Sequence, residues 1–368
     1  MRSLLQLWLY RRYLMVNYII RRLMMVPLIL FGVTILIFAM LQFLSPIERS
    51  ALYVRQIPAN ERALDSVIRA YGLDQPVYVQ YWRWLVGARN ANTGEVTGGV
   101  LRGDFGYSRT ASQEVSDMIK HRFPATVELA LWAMIPVVFG GIILGVIAAV
   151  NHNNPIDHAT RIFGIVGWSF PDFVLGLLLI MIFYANLGWF PPGRVSDWAN
   201  IVVRSEGFRN YTSMITIDSL LNLRLDVFWD AAKHLVLPVI TLAYLWWALQ
   251  MRVTRSSMLE TLRQDYITTA RSKGVNNRTV VRTHAVPNAL MPVVTLGGAT
   301  VIGLLGGVVI VETVFNYPGI GSAFADAAVN LDVITVLAFT LLNALIMVVA
   351  YVIVDVLYAY IDPRVRLS

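Results

Sequence analysis

Residues 266–290 read YITTARSKGVNNRTVVRTHAVPNAL, a basic stretch set between two apolar runs, His234–Arg252 and Ala289–Val311. Met258, Leu262, Tyr266 and Ala270 recur every four residues and share one helical stripe. Gly274 suits the left-handed conformation that ends a helix. Asn276 is then placed to cap a second helix carrying Val280, Val281 and His284 on one face. Pro287 limits continuation and suits the first turn of the following helix. The stretch therefore predicts two short helices meeting at a glycine. Its charge is strongly positive: seven Arg/Lys less two acidic residues gives +5 over Arg252–Asn288.

The surroundings are oily. Of 368 residues, 57% are hydrophobic and only 14% charged, against about 25% charged in soluble proteins. The mean hydropathy is +0.59. Apolar runs of about 20 residues, long enough to cross a hydrocarbon core of about 30 Å, recur along the chain. The candidates are Leu23–Leu44, Ala125–Val150, Phe163–Asn186, His234–Arg252, Ala289–Val311 and Val333–Val354. The expected class is an all-α membrane protein with six transmembrane helices.

Several chemistries drop out. The chain has no cysteine, which excludes disulfides, thiolate metal sites and cysteine nucleophiles. Its five histidines show no H-E-x-x-H pair and no legible Ser–His–Asp set, so neither a metal nor a hydrolase site is expected. The net charge of +7 flanks the apolar runs rather than forming one patch, so nucleic acid is not an expected partner.

Charge also orients the spans. Residues 1–22 carry five Arg and 253–288 six Arg/Lys, whereas Thr313–Asp332 carries none. The positive-inside rule puts both termini and the insert in the cytoplasm. Ten Arg/Lys in 45–124 and five in 187–233 run against this, though long loops cross largely regardless of charge. The expected layout is an interfacial N-terminal extension (1–17), a first span (18–44) and an external loop or cap (45–124). A core (125–361) follows, with a cytoplasmic segment at 253–288 and an external loop at 187–233, and then a cytoplasmic tail (362–368).

On periodicity alone the basic insert is readable as plain topology and lipid contact. The spacing Ala270-x3-Gly274-x9-His284-x-Val286-Pro287 resembles the signature of ABC importer permeases, with Thr268 and Thr269 in place of its first two residues. DYITTARSKGVNNRTVVRTHAVPNALMPVV is closer still to the dipeptide/oligopeptide/nickel branch. So are YIIRRLMMVPLILFGVTILIFAMLQFLSP, GDFGYSRT, RFPATVELAL and VVIVETVFNYPGIGSAFADA. The likeness runs from about Tyr18 to Arg366, and the opening and long first loop resemble the B-type subunit.

The resemblance implies a type I ABC importer permease that couples to separate ATPase subunits through the insert. Tyr266, Thr269, Ala270, Arg271, Lys273, Gly274, Val280, His284 and Pro287 would form the contact. No G-x-x-x-x-G-K-[ST] loop occurs in the chain, so ATP and Mg are expected on two ATP-binding partner subunits and no cofactor on this chain. A C-type permease, an external substrate-binding protein and membrane lipid complete the implied partners. Glu128, Asp172 and Glu312 are candidates for lining a path, as charge at membrane depth is costly. Gly303 and Gly307 are candidates on their small-residue spacing. Tyr317 and Pro318, within NYPGIG, are gate candidates. A secondary transporter or channel not powered by ATP remains the rival reading.

Overall fold

The computed structural model describes residues 2–50, 52–54, 60–89 and 96–361. Helix α1 (Arg2–Leu41) runs unbroken from the N-terminal extension through the first span. Helices α2 (Pro46–Ser50), α3 (Glu61–Tyr71) and α4 (Val77–Val86) follow. Two short antiparallel hairpins come next: β1 (Ala88–Arg89) with β2 (Val96–Thr97), and β3 (Tyr107–Ser108) with β4 (Gln113–Glu114). Helix α5 spans Val115–Val150 and α6 Pro155–Ser169, while α7 (Asp172–Leu179) continues as a π-helical stretch to Asn186. Then come α8 (Asp197–Val203), α9 (Ile215–Leu221), α10 (Leu225–Leu262), α11 (Asp265–Ser272) and α12 (Asn277–Thr279). A π-helical turn, Val280–Ala285, joins α12 to α13 (Val286–Ala289). The chain closes with α14 (Met291–Gly307), α15 (Val309–Val314), α16 (Ile320–Val329) and α17 (Val333–Ile361). The expected tail 362–368 lies outside the described residues.

Among the described residues, four helices are long and apolar enough to cross a membrane, at 19–41, 115–150, 225–262 and 333–356. Two bent helix pairs lie where the third and fifth spans are expected, which gives up to six if each pair is one span. The third is not one helix: its halves meet at 107°. The cause is local, because Pro171 has no N–H and pushes Phe170 into extended backbone, φ −92° and ψ 126°. The fifth bends by 51° between Asn277–Ala289 and Met291–Leu304. Helices α5 and α10 overrun their apolar windows, since charged residues beyond the oily stretch are still helix formers.

Two compact units make up the chain. In the first (1–123 with 323–368), Ile37, Phe38 and Leu41 of α1 pack with Trp84, Leu85, Ile334, Leu337 and Leu341. Asp332 starts α17 and accepts hydrogen bonds from Ser108 Oγ (2.8 Å), the Thr110 N–H (3.1 Å) and Thr335 Oγ1 (2.8 Å). It thereby ties the second hairpin to the last span. The second unit (124–322) has a large core around Leu129, Val137, Leu235, Leu304, Phe315 and Tyr317. A separate cluster under the insert joins Ala149, Met258, Ile267, Val280, Ala285 and Ala289.

Candidate functional site

The insert forms the predicted turn. Gly274 has φ +76°, the left-handed region, and its N–H donates to the Arg271 carbonyl at 2.9 Å. Asn276 caps the next helix, its side chain accepting from the Arg278 N–H at 2.9 Å. Pro287 sits in the first turn of α13. Val280 is fully buried against the ends of α5 and α10, with Ala270 and Val281 packed at the edge. Ser257 of α10 donates to the Ala289 carbonyl at 2.8 Å, pinning the far end. On the outer face Tyr266, Thr269, Arg271, Lys273 and Gly274 are exposed, and His284 is half-buried. A Cβ on Gly274 would meet no atom within 4 Å.

One part of the expected pattern is wrong. Met258 and Leu262 belong to α10, and the chain turns at Arg263–Gln264 before α11 begins. The turn shifts the helical phase, so Ile267, not Tyr266, is the buried residue of α11. Beside the insert, Arg255 of α10 grips the buried Asp157 of α6 through Nε (2.6 Å) and Nη2 (2.7 Å). The bidentate pair fixes α6 to α10 at this end.

Glu128 and Glu312 are both buried, at 1% and 0% exposed. Glu128 accepts from Arg194 Nη2 (2.7 Å) and Nε (3.0 Å), the Thr216 N–H (2.6 Å), Thr216 Oγ1 (2.7 Å) and Tyr317 Oη (3.1 Å). The Arg194 pKa is raised: burial opposes this, and the charge and hydrogen bonds of Glu128 outweigh it. Burial, then the Glu128 charge, pushes the Tyr317 phenol well above its ordinary value. Glu312 accepts from Thr126 Oγ1 (2.7 Å) and the Ser322 N–H (2.9 Å). A Cβ on Gly319 would overlap the Glu312 carboxylate, so a larger residue there would have to displace that side chain from its hydrogen bonds. Tyr317 is thus an anchor of the loop, while its two neighbours Asn316 and Pro318 are exposed. Arg194, Thr216 and Thr126 were not singled out from sequence.

Asp172 is placed differently. It is half-buried at the start of α7 and borders a cavity of about 100 Å³ with Thr241, Leu242, Leu245, Trp246, Gly303 and Leu304. A Cβ on Gly303 would lie 2.8 Å from the Trp246 ring, so glycine there lets the indole approach. Gly307 ends the same helix one turn on. Among the described residues, no group of three or more His, Cys, Asp or Glu is placed to hold a metal ion.

Comparison with known proteins fits this architecture. Residues 141–367 match the family described as "Binding-protein-dependent transport system inner membrane component", and residues 15–130 match its N-terminal counterpart. The oligopeptide transport system permease protein AppB of Bacillus subtilis (strain 168) is 36% identical over 353 residues, covering 96% of this chain and 100% of that protein. The di/tripeptide transport system permease protein DppB of Pseudomonas aeruginosa (strain UCBPP-PA14) is 37% identical over 359 residues, 96% of this chain and 99% of its own length. The glutathione transport system permease protein GsiC of Escherichia coli (strain K12) is 34% identical over 352 residues, with 96% and 99% covered. With apolar spans, an anchored basic insert and relatives matched end to end, the chain belongs to the binding-protein-dependent transport system inner-membrane component family, the permease subunits of ABC importers.

Proposed function

We propose that this chain is the B-type permease of a peptide importer, forming half of the translocation pathway with a C-type partner. Two ATP-binding subunits supply hydrolysis, with ATP and Mg held there, and an external binding protein delivers substrate. Peptide-class solutes are proposed because the relatives' names specify oligopeptides, di/tripeptides and glutathione. The insert, with both termini, faces the cytoplasm in this reading, and the 45–124 cap and 187–233 loop face outside.

The observation that carries the reading is the insert's two-sidedness. Ile267, Val280 and Ala285 fix it to the membrane helices, while Tyr266, Thr269, Arg271 and Lys273 point away from the rest of the unit. A rigid, cationic projection of this kind transmits force to an acidic groove on a partner. Ala270, Gly274, His284 and Pro287 shape its edge. The passage candidates carried forward are Asp172 and Gly303, which border the cavity, with Gly307 on its small-residue spacing. Glu128, Glu312 and Tyr317 become scaffold, with Pro318 left as the exposed tip of their loop.

Mild detergent purification of the full chain from its native membrane tests the assembly. The expected result is co-purification of a second permease and ATP-binding subunits. A monodisperse, transport-active particle containing this chain alone contradicts it and favours the secondary-transporter reading.

A further inference from the structure

We propose that α4 is a membrane-surface helix whose Tyr78–Trp82 flank beds in the headgroup–acyl boundary of the leaflet next to the 45–124 segment. The argument begins with depth. Tyr81 Oη lies 2.9 Å from Thr34 Oγ1, and its ring sits edge-on to Phe31 (6.1 Å) and Phe38 (5.3 Å). The apolar span of α1 ends at Leu41. Thr34 is therefore about 10 Å inside that end, at 1.5 Å per residue. A helix whose side chains reach that level is not a free loop above the bilayer; it lies against the first span below its end.

The faces of α4 agree with this placement. Tyr81, Trp84 and Leu85 pack toward α1 and α17. The polar residues of α4 face the α3–α4 turn. Gln80 Nε2 donates to the Leu73 (3.0 Å) and Gln75 (2.6 Å) carbonyls, and the Arg83 guanidinium covers Gly72. Between these faces Tyr78 and Trp82, one turn apart, are 74% and 60% exposed. The one charged residue of α4, Arg83, lies on the polar side. On α1, Leu28, Phe31 and Ile35 are exposed as well.

Lipid is the occupant this arrangement fits. Tyrosine and tryptophan concentrate at the membrane–water interface because the ring is apolar and the O–H or N–H is polar. An amphipathic helix with one polar face buries its apolar face about 5–10 Å into that boundary. A docking site for a soluble partner would not need to lie beside the middle turns of a spanning helix.

The absence of native cysteine makes the test direct. Tyr78→Cys and Trp82→Cys, made singly, carry a nitroxide in the full chain within its assembled transporter. The transporter is reconstituted in phosphatidylethanolamine–phosphatidylglycerol vesicles. Leu28→Cys on α1 is the lipid reference and Asp74→Cys in the α3–α4 turn is the water reference. The proposal expects collision with oxygen to dominate at 78 and 82 as at 28. Nickel-chelate collision as strong as at 74, or shielding from both probes by a protein partner, overturns it. Quenching of the unlabelled protein by brominated lipid is an independent readout. Trp82→Phe should remove part of the lipid-quenchable indole emission, and an unchanged quenchable fraction counts against the proposal.

Discussion

Two stretches of α5, one around Glu128 and one near its C-terminal end, handle charge in opposite ways. In the first, Glu128 and Glu312 are sealed from solvent and accept hydrogen bonds from Arg194, Thr216, Tyr317, Thr126 and Ser322. Twenty-one residues on, at Ala149 and about 30 Å away by helical rise, the insert leaves Arg271 and Lys273 exposed, with no ion pair among the described residues. The distance is about that of a hydrocarbon core. Buried charge that is fully paired is complete within the chain. Exposed charge on an anchored turn is complete only with a partner. In the proposed reading the first is scaffold and the second is interface.

Mutations should separate these roles. Glu128→Ala leaves Arg194, with its side chain 14% exposed, buried without a carboxylate. Removing one partner of such a pair costs about 3–5 kcal/mol. Thermal melting in detergent should show a large drop, and wild-type melting would erase the contrast between the two stretches. Gly319→Ala forces a methyl group into the Glu312 carboxylate. Overpacking of this kind costs about 1–3 kcal/mol, read the same way.

A smaller effect is expected in acid. Burial would raise the Asp332 pKa, yet the hydrogen bonds from Ser108, Thr110 and Thr335 hold it below the ordinary value. A depressed carboxylate stabilises the fold above its unfolded pKa of about 3.9, and that contribution is lost as pH falls through the folded value. Asp332→Asn should flatten the acid limb of the melting profile; an unchanged limb would show that the hairpin tie carries no such linkage. Smallest in stability are Arg271→Ala and Lys273→Ala, within about 0.5 kcal/mol of wild type. Both should nonetheless weaken substrate-stimulated ATP hydrolysis by the assembled transporter. A melting loss without a hydrolysis defect would reverse the roles assigned to the insert.

What sequence revealed divides along the same line. The Gly274 turn and the Asn276 cap were legible because each depends on backbone rules acting over a few residues. The partners of Glu128 were not, for Arg194, Thr216 and Tyr317 lie 66, 88 and 189 residues away. No periodicity carries that information. A lone arginine in PPGRV at the edge of an apolar run was the one available hint. The Met258–Tyr266 stripe failed for a subtler reason: a two-residue turn resets helical phase while leaving the sequence spacing intact.

The central claim is that the insert couples this permease to its ATPase, and Gly274 tests it most directly. A branched side chain in the left-handed region costs about 1–2 kcal/mol, and a Cβ there meets nothing within 4 Å among the described residues. Gly274→Val should therefore still fold and insert. Asparagine tolerates this backbone better, so Gly274→Asn separates backbone strain from bulk. The measurement is substrate-stimulated ATP hydrolysis by the reconstituted transporter, with melting followed on the same samples. The account predicts that Gly274→Val loses stimulation while remaining folded, and that Gly274→Asn keeps more of it. Wild-type stimulation in a folded Gly274→Val transporter would contradict the coupling role.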